Sequence, residues 1–178
     1  QEAVPTMDPQ GVTDQEFKLF RALIYRLAGI NMADSKKPLL TGRLSRRLRH
    51  YGLDSFSAYY KLVTGGGHAE ELQLMVDLLT TNETYFFREP AHFDFLRDFA
   101  ALRRGRPFRV WSGASSSGEE PYTIAMVLAE TLGQSADWEV IASDISLTVL
   151  ERAQAGLYPM ERGRGIPPEL MKKYCLKG

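Results

Sequence analysis

The chain has 178 residues, 44% of them hydrophobic and 25% charged, which is enough apolar material for one ordinary domain or for a small domain and part of another. No apolar run is long enough to cross a bilayer and no signal-peptide pattern opens the chain, while a lone cysteine, Cys175, excludes an internal disulfide and fits a reducing cytoplasm. The formal net charge is zero and the three histidines, His50, His68 and His92, are scattered, so neither general nucleic-acid binding nor a structural zinc site is expected.

Residues 1–12, with Pro5, Pro9 and Gly11, read as a loose tail. Thr13-Asp-Gln-Glu16 then has the form of a capping box. Phe17, Phe20, Ile24 and Leu27 follow at helical spacing, and Gly29 is placed to end that helix. Pro38 suits the first turn of a second helix running to about Tyr51 and Gly52. A third helix carries Phe56, Tyr59, Tyr60 and Val63 from Ser55 to the Gly65-Gly66-Gly67 break. A fourth spans roughly His68 to Leu79, with Leu72, Val76 and Leu79 on one side. Four helices without a strand pattern predict a small all-helical domain over residues 13–79.

The character changes at Thr80. Thr80-Thr-Asn-Glu-Thr84 is polar and rich in poor helix formers, and Tyr85-Phe86-Phe87-Arg88 follows it. Pro90 opens a helix with Phe93, Leu96 and Phe99. Phe108–Ser112 reads as a strand, Gly113–Gly118 as a tight loop of small residues, Glu119–Leu132 as a helix closed by Gly133, and Trp138–Ser143 as a second strand. Ser146 is positioned to cap the helix after it. Strand, glycine-containing loop, helix, strand and acidic residue make the opening of a parallel α/β nucleotide-binding sheet over residues 80–178.

Three groups of residues carry candidate chemistry. The loop from Gly113 to Gly118 lets backbone approach a ligand closely, but Glu119 and Glu120 at the helix start would repel a pyrophosphate. The segment also lacks the glycine fingerprint of dinucleotide binders and the lysine of a P-loop. Two carboxylates suit a cationic ligand better; equally, Ser117 and Glu120 have the spacing of a simple capping box. Asp144, 26 residues beyond Gly118, stands where an acidic residue accepts ribose hydroxyls in such folds, or starts a solvated loop. In the second helix, Leu40, Leu44, Leu48 and Tyr51 share a stripe at about 100° per residue. Arg43, Arg46, Arg49 and His50 lie opposite, with Arg47 at the border. No acidic residue stands among these arginines to neutralise them, so the face either meets a negative partner or is a solvated basic face.

Three stretches together resemble the CheR family of chemotaxis receptor methyltransferases. They are Thr80–Glu89, then Trp111-Ser-Gly-Ala-Ser-Ser-Ser-Gly-Glu-Glu-Pro-Tyr-Thr-Ile-Ala-Met126, then Ala142-Ser-Asp-Ile-Ser146, and the resemblance covers roughly residues 14 to 178. It implies an all-α receptor-recognition domain followed by an incomplete Rossmann-like domain that binds S-adenosylmethionine, with S-adenosylhomocysteine as product. The implied reaction esterifies glutamate side chains in the cytoplasmic methylation region of chemoreceptors. By the same resemblance Asn82, Thr84 and Arg88 touch the cofactor or line the transfer site, Arg88 being the candidate catalytic residue. Glu119 holds the cofactor's positive amino-acid end, Asp144 binds its ribose, and Arg43, Arg46, Arg47 and Arg49 read the receptor. For Arg88 the plainer alternative is a local pair with Glu89 or a helix carbonyl. A cytoplasmic monomer with no metal, nucleic acid or membrane insertion is expected.

The resemblance also implies about a hundred further residues in family members, and a sheet of this kind needs more strands. That stretch carries an Asn-containing loop near the adenine, a tyrosine near the methyl, and a β-subdomain that in some members binds a receptor tether. Rival readings are a non-catalytic receptor-binding module of the same fold, a nicotinamide-dependent oxidoreductase and a nucleic-acid-binding domain. The glutamates at the helix start disfavour the second, and the third rests on the basic helix alone.

Overall fold

The computed structural model describes residues 11–177. These fall into two compact units that part between Thr80 and Thr81. Of the tail expected over residues 1–12, all but Gly11 and Val12 lie outside the described residues. Val12 is not loose: it is buried in the helical core, where an apolar β-branched side chain gains from leaving water.

The first unit contains α1 (Asp14–Ala28), a 3-10 turn (Asp34–Lys36), α2 (Lys37–His50), α3 (Phe56–Thr64) and α4 (Ala69–Leu79). The Thr13 cap forms as its sequence dictates. The Thr13 hydroxyl accepts from the Glu16 N–H at 3.2 Å, and the Glu16 carboxylate accepts from the Thr13 N–H at 2.9 Å. The same carboxylate also accepts from the N–H and hydroxyl of Ser57, tying the start of α1 to α3. Burial raises the Glu16 carboxyl, but the Thr13 and Ser57 hydrogen bonds outweigh it and hold it below the ordinary value. Gly29 ends α1 in the left-handed conformation, which costs glycine nothing. Phe20, Ile24, Leu40, Leu44, Leu48, Phe56, Tyr59 and Met75 form the centre of the core. Leu27, placed on the buried stripe of α1 by its spacing, is exposed instead, and Leu23 takes the interior position.

The second unit contains α5 (Pro90–Ala101), β1 (Phe108–Gly113), α6 (Glu119–Leu132), β2 (Trp138–Ser143), α7 (Leu147–Ala155), a 3-10 helix (Met160–Gly165) and α8 (Pro168–Tyr174). β1 and β2 pair in parallel, with Phe108 opposite Trp138 and Gly113 opposite Ser143. Phe108, Val110, Trp138 and Val140 pack with Phe93, Ile124, Val127 and Leu128 of the helices. Trp111 and Ile141, also directly paired, turn to the other face and are exposed. Phe99 is exposed as well; Ala100 holds the buried place on α5. The α/β class thus stands as expected, with a two-stranded parallel sheet among the described residues. No helix among them is long and apolar enough to cross a membrane.

Candidate functional site

β1 delivers the chain into the Gly113–Gly118 loop, and α6 leaves from it. Gly118 has φ +100°, and a Cβ there would lie 2.7 Å from the Tyr158 hydroxyl, so this position admits glycine alone. Among the described residues, the non-glycine positions with positive φ are Phe87, Glu89, Ala114 and Ser116. All four fall in two segments, 80–89 and 113–118. Such backbone costs on the order of 1–3 kcal/mol per residue and persists where surrounding contacts over-determine it, commonly at ligand sites.

The contacts that hold these segments are visible. The Phe87 N–H donates to the Thr123 hydroxyl of α6 at 3.2 Å, and Phe86 is buried edge-on against Tyr158 at 5.0 Å between ring centres. Tyr158 donates its hydroxyl proton to the Ser117 carbonyl at 2.6 Å. Burial, then the nearby Glu119 charge, pushes its phenol above the ordinary tyrosine value, so it remains a donor.

Glu119 is the centre of this arrangement. Its side chain is 0% exposed. Oε2 accepts from the Ser117 hydroxyl at 2.6 Å, whereas Oε1 makes no hydrogen bond and is approached by Arg162 Nη2 at 3.2 Å. Arg162 also donates through Nη1 to the Thr84 carbonyl at 3.3 Å, so it touches both the 80–89 segment and the start of α6. The buried hydroxyls of Ser115, Ser116 and Ser146 lack hydrogen-bond partners too. Unsatisfied buried polar atoms are rare in native proteins, and these four, at or beside one loop, leave capacity for a ligand or a water molecule.

Asp144 joins the same loop. Its Oδ2 accepts from the Ser116 N–H at 2.8 Å and its Oδ1 from the Ser146 N–H at 2.9 Å. It is therefore neither a loose loop residue nor a free acceptor: each oxygen spends one lone pair on backbone and keeps another. Ser146, expected to cap α7, occupies its N-cap position but makes no side-chain cap. The Ser117–Glu120 capping box does not form either. Gly118 is the N-cap of α6, Ser117 bonds Glu119, and Glu120 accepts from Ser112 at 2.7 Å.

The remaining sequence candidates divide. Asn82 and Thr84 are half-buried in their segment. Arg88 is exposed; its guanidinium donates to the Glu83 carbonyl at 2.7 Å and lies 5.9 Å from the Tyr85 ring centre. Its local partner is thus a loop carbonyl, neither Glu89 nor a helix carbonyl. In the first unit, two of the four α2 arginines do not face outward as a free basic surface. Arg43 donates to the carbonyls of Leu78 and Thr80 at 2.6 and 2.9 Å, closing the end of α4. Arg47 forms a two-pronged pair with the buried Glu71, at 2.8 and 2.6 Å, joined by the hydroxyls of Tyr59 and Tyr51. The counter-charge missing at neighbouring helix positions comes from α4, a contact that a helix wheel does not contain. Arg46, Arg49 and His50 are exposed.

Sequence reasoning missed Tyr158 and Arg162, which lie after β2 and outside the three motif stretches. A signal existed in Arg162-Gly-Arg-Gly165: a Cβ at Gly165 would collide with the Phe86 carbonyl, so that glycine marks close backbone approach. No cluster that could hold a metal ion is found among the described residues.

Residues 15–80 match the family model described as CheR methyltransferase, all-alpha domain, and residues 82–178 match CheR methyltransferase, SAM binding domain. A chemotaxis protein methyltransferase of Escherichia coli is 45% identical over 94% of this chain and 58% of its own length. One from Salmonella typhimurium is 42% identical over the same shares. Chemotaxis protein methyltransferase 2 of Pseudomonas aeruginosa is 44% identical over 98% of this chain and 66% of its own length. The chain therefore spans about three fifths of the length of these curated relatives.

Proposed function

The chain belongs to the CheR methyltransferase family, and from that premise we propose that the protein methylates glutamate side-chain carboxylates of chemoreceptors with S-adenosylmethionine. The products are glutamyl methyl esters and S-adenosylhomocysteine, and the setting is chemotaxis in the cytoplasm. The observation that carries the reading is Glu119: a wholly buried carboxylate with one oxygen lacking a hydrogen bond, beside a loop of small residues. A cation with hydroxyls fits this donor and acceptor set; a pyrophosphate, repelled by Glu119 and Asp144, does not.

When bound, S-adenosylmethionine supplies a methyl group made electrophilic by its sulfonium. Glu119 holds the positive amino-acid end, and Asp144 accepts ribose hydroxyls with the lone pairs left over from Ser116 and Ser146. Asn82 and Thr84 line the same site. Arg88, exposed and held only by a loop carbonyl and a ring face, turns from Glu83 to grip one oxygen of the receptor carboxylate. That grip leaves the second oxygen free to bond to carbon. A surface glutamate is already ionised at neutral pH, so no side chain need take a proton. The chain's task is positioning and charge complementarity. Arg46 and Arg49, the exposed arginines of α2, meet acidic receptor surface.

Calorimetric titration of the full-length protein tests the cofactor assignment. S-adenosylhomocysteine is expected to bind and NAD to give no heat; binding of NAD without S-adenosylhomocysteine would restore the oxidoreductase reading.

A further inference from the structure

Among the described residues Arg162 alone forms an ion pair with Glu119, and it does so loosely. Its Nη2 stands 3.2 Å from Oε1 without making a hydrogen bond, where a charge-assisted bond is commonly about 2.7–2.9 Å. The guanidinium is 46% exposed while the carboxylate beneath it is 0% exposed. Arg162 therefore lies against Glu119 without saturating it. Arg162 is a half-exposed side chain on the short 3-10 helix Met160–Gly165.

A buried carboxylate needs a counter-charge whether or not a ligand is present. An α-amino acid end carries an ammonium and a carboxylate one carbon apart, the same two charges as the pair it would enter. We infer that Arg162 and Glu119 together form the receptor for the amino-acid zwitterion of the methyl donor, Glu119 taking the ammonium and Arg162 the carboxylate. This rests on the proposed role of Glu119. The ligand inserts into an existing ion pair: one charge contact opens and two form, and the site gains no net charge. The planar guanidinium fork matches a carboxylate, and the second contact of Arg162, to the Thr84 carbonyl, keeps it at the edge of the site. A ligand bearing the amine alone would take Glu119 and leave Arg162 without a partner.

The test uses three probes on the full-length protein: S-adenosylhomocysteine, its decarboxylated amine analogue, and methylthioadenosine, which lacks the amino-acid end. Arg162→Met is expected to weaken S-adenosylhomocysteine by at least about tenfold, the worth of a charged hydrogen bond, and to weaken neither of the other two. Arg162→Lys, which keeps the charge, should weaken S-adenosylhomocysteine alone by a smaller factor, because an ammonium lacks the fork. Unchanged affinity for S-adenosylhomocysteine in both variants, or equal loss for all three probes, overturns the inference and makes Arg162 a buttress of the fold. Glu119→Gln separates the premise from the inference. If it weakens both amine-bearing ligands while Arg162→Met weakens neither, only the zwitterion receptor falls. If Glu119→Gln leaves S-adenosylhomocysteine unchanged, the role of Glu119 falls and the inference with it.

Discussion

Arg47→Ala should destabilise the helical unit far more than Arg46→Ala, although both residues stand on one basic helix. The Glu71 side chain is 4% exposed and that of Arg47 21%, with nitrogen–oxygen distances of 2.8 and 2.6 Å. Removing one partner of a fully buried pair costs about 3–5 kcal/mol, because the other charge is stranded. Here Tyr59 still donates to Glu71 at 2.7 Å and Tyr51 at 3.2 Å. With those donors retained and one edge open to water, the loss is about 2–4 kcal/mol. Arg46→Ala, at an exposed position, should stay within about 0.5 kcal/mol. Calorimetric melting of the full-length protein reads the difference as a fall of roughly 10 °C or more in the transition of this unit. Acid provides an independent check. Burial raises the Glu71 carboxyl, but the Arg47 and Tyr59 hydrogen bonds outweigh it, leaving it below its ordinary 4.5. A folded value below the unfolded one means the stabilisation is fully present above pH 4.5 and is lost as pH falls through the folded value. Arg47→Ala should therefore shallow the loss of stability on acidification. Equal melts for the two alanine variants would refute the structural role and return Arg47 to the outward-facing set.

Asp144→Ala removes acceptors worth roughly 1.5–3 kcal/mol each where charged, so S-adenosylhomocysteine affinity should fall at least about tenfold; an unchanged calorimetric Kd removes Asp144 from the site. Reversing Arg46 and Arg49 to Glu should weaken receptor binding without altering cofactor affinity. The native interaction should also weaken with salt, since exposed charges are screened over about 8–10 Å; receptor affinity flat across salt marks a solvated face. Arg88→Ala should lower methyl transfer on the order of 10²-fold, as misplacement of about 1 Å can, with cofactor affinity little changed. Near-normal turnover would leave Arg88 to its Glu83 carbonyl.

The elements were legible where local chemistry decides them. Thr13 and Glu16 fix the start of α1, Gly29 its end, and Gly133 the end of α6, because caps and left-handed turns are properties of a few adjacent residues. Both strands followed from short apolar runs between turn signals. What escaped is what distant residues decide. Arg47 looked unpaired because Glu71 lies 24 positions away on α4, and Arg43 because its partners are carbonyls, which a residue pattern does not show. The candidate site divides in the same way. Glu119 and Asp144 could be picked from a loop and a strand end. Ser112 as the partner of Glu120 depends on the turn of the Gly113–Gly118 loop between them, and Tyr158 on the Ser117 carbonyl and Arg162 against Glu119 depend on how the chain returns after β2. Ser117 and Glu120 show the opposite error: spacing fits a capping box, but Gly118 at φ +100° moves the helix start one residue on and redirects both side chains.

The central claim is methyl ester formation on receptor glutamates. The most direct measurement incubates the full-length protein with methyl-labelled S-adenosylmethionine and a receptor cytoplasmic fragment, then treats the recovered fragment with alkali. The account predicts label on the fragment that leaves as methanol, because a carboxylate ester is hydrolysed by base, and none when the fragment's methylation-site glutamates are changed to alanine. Label that survives alkali, or a fragment left unlabelled by a protein that binds S-adenosylhomocysteine, would contradict it.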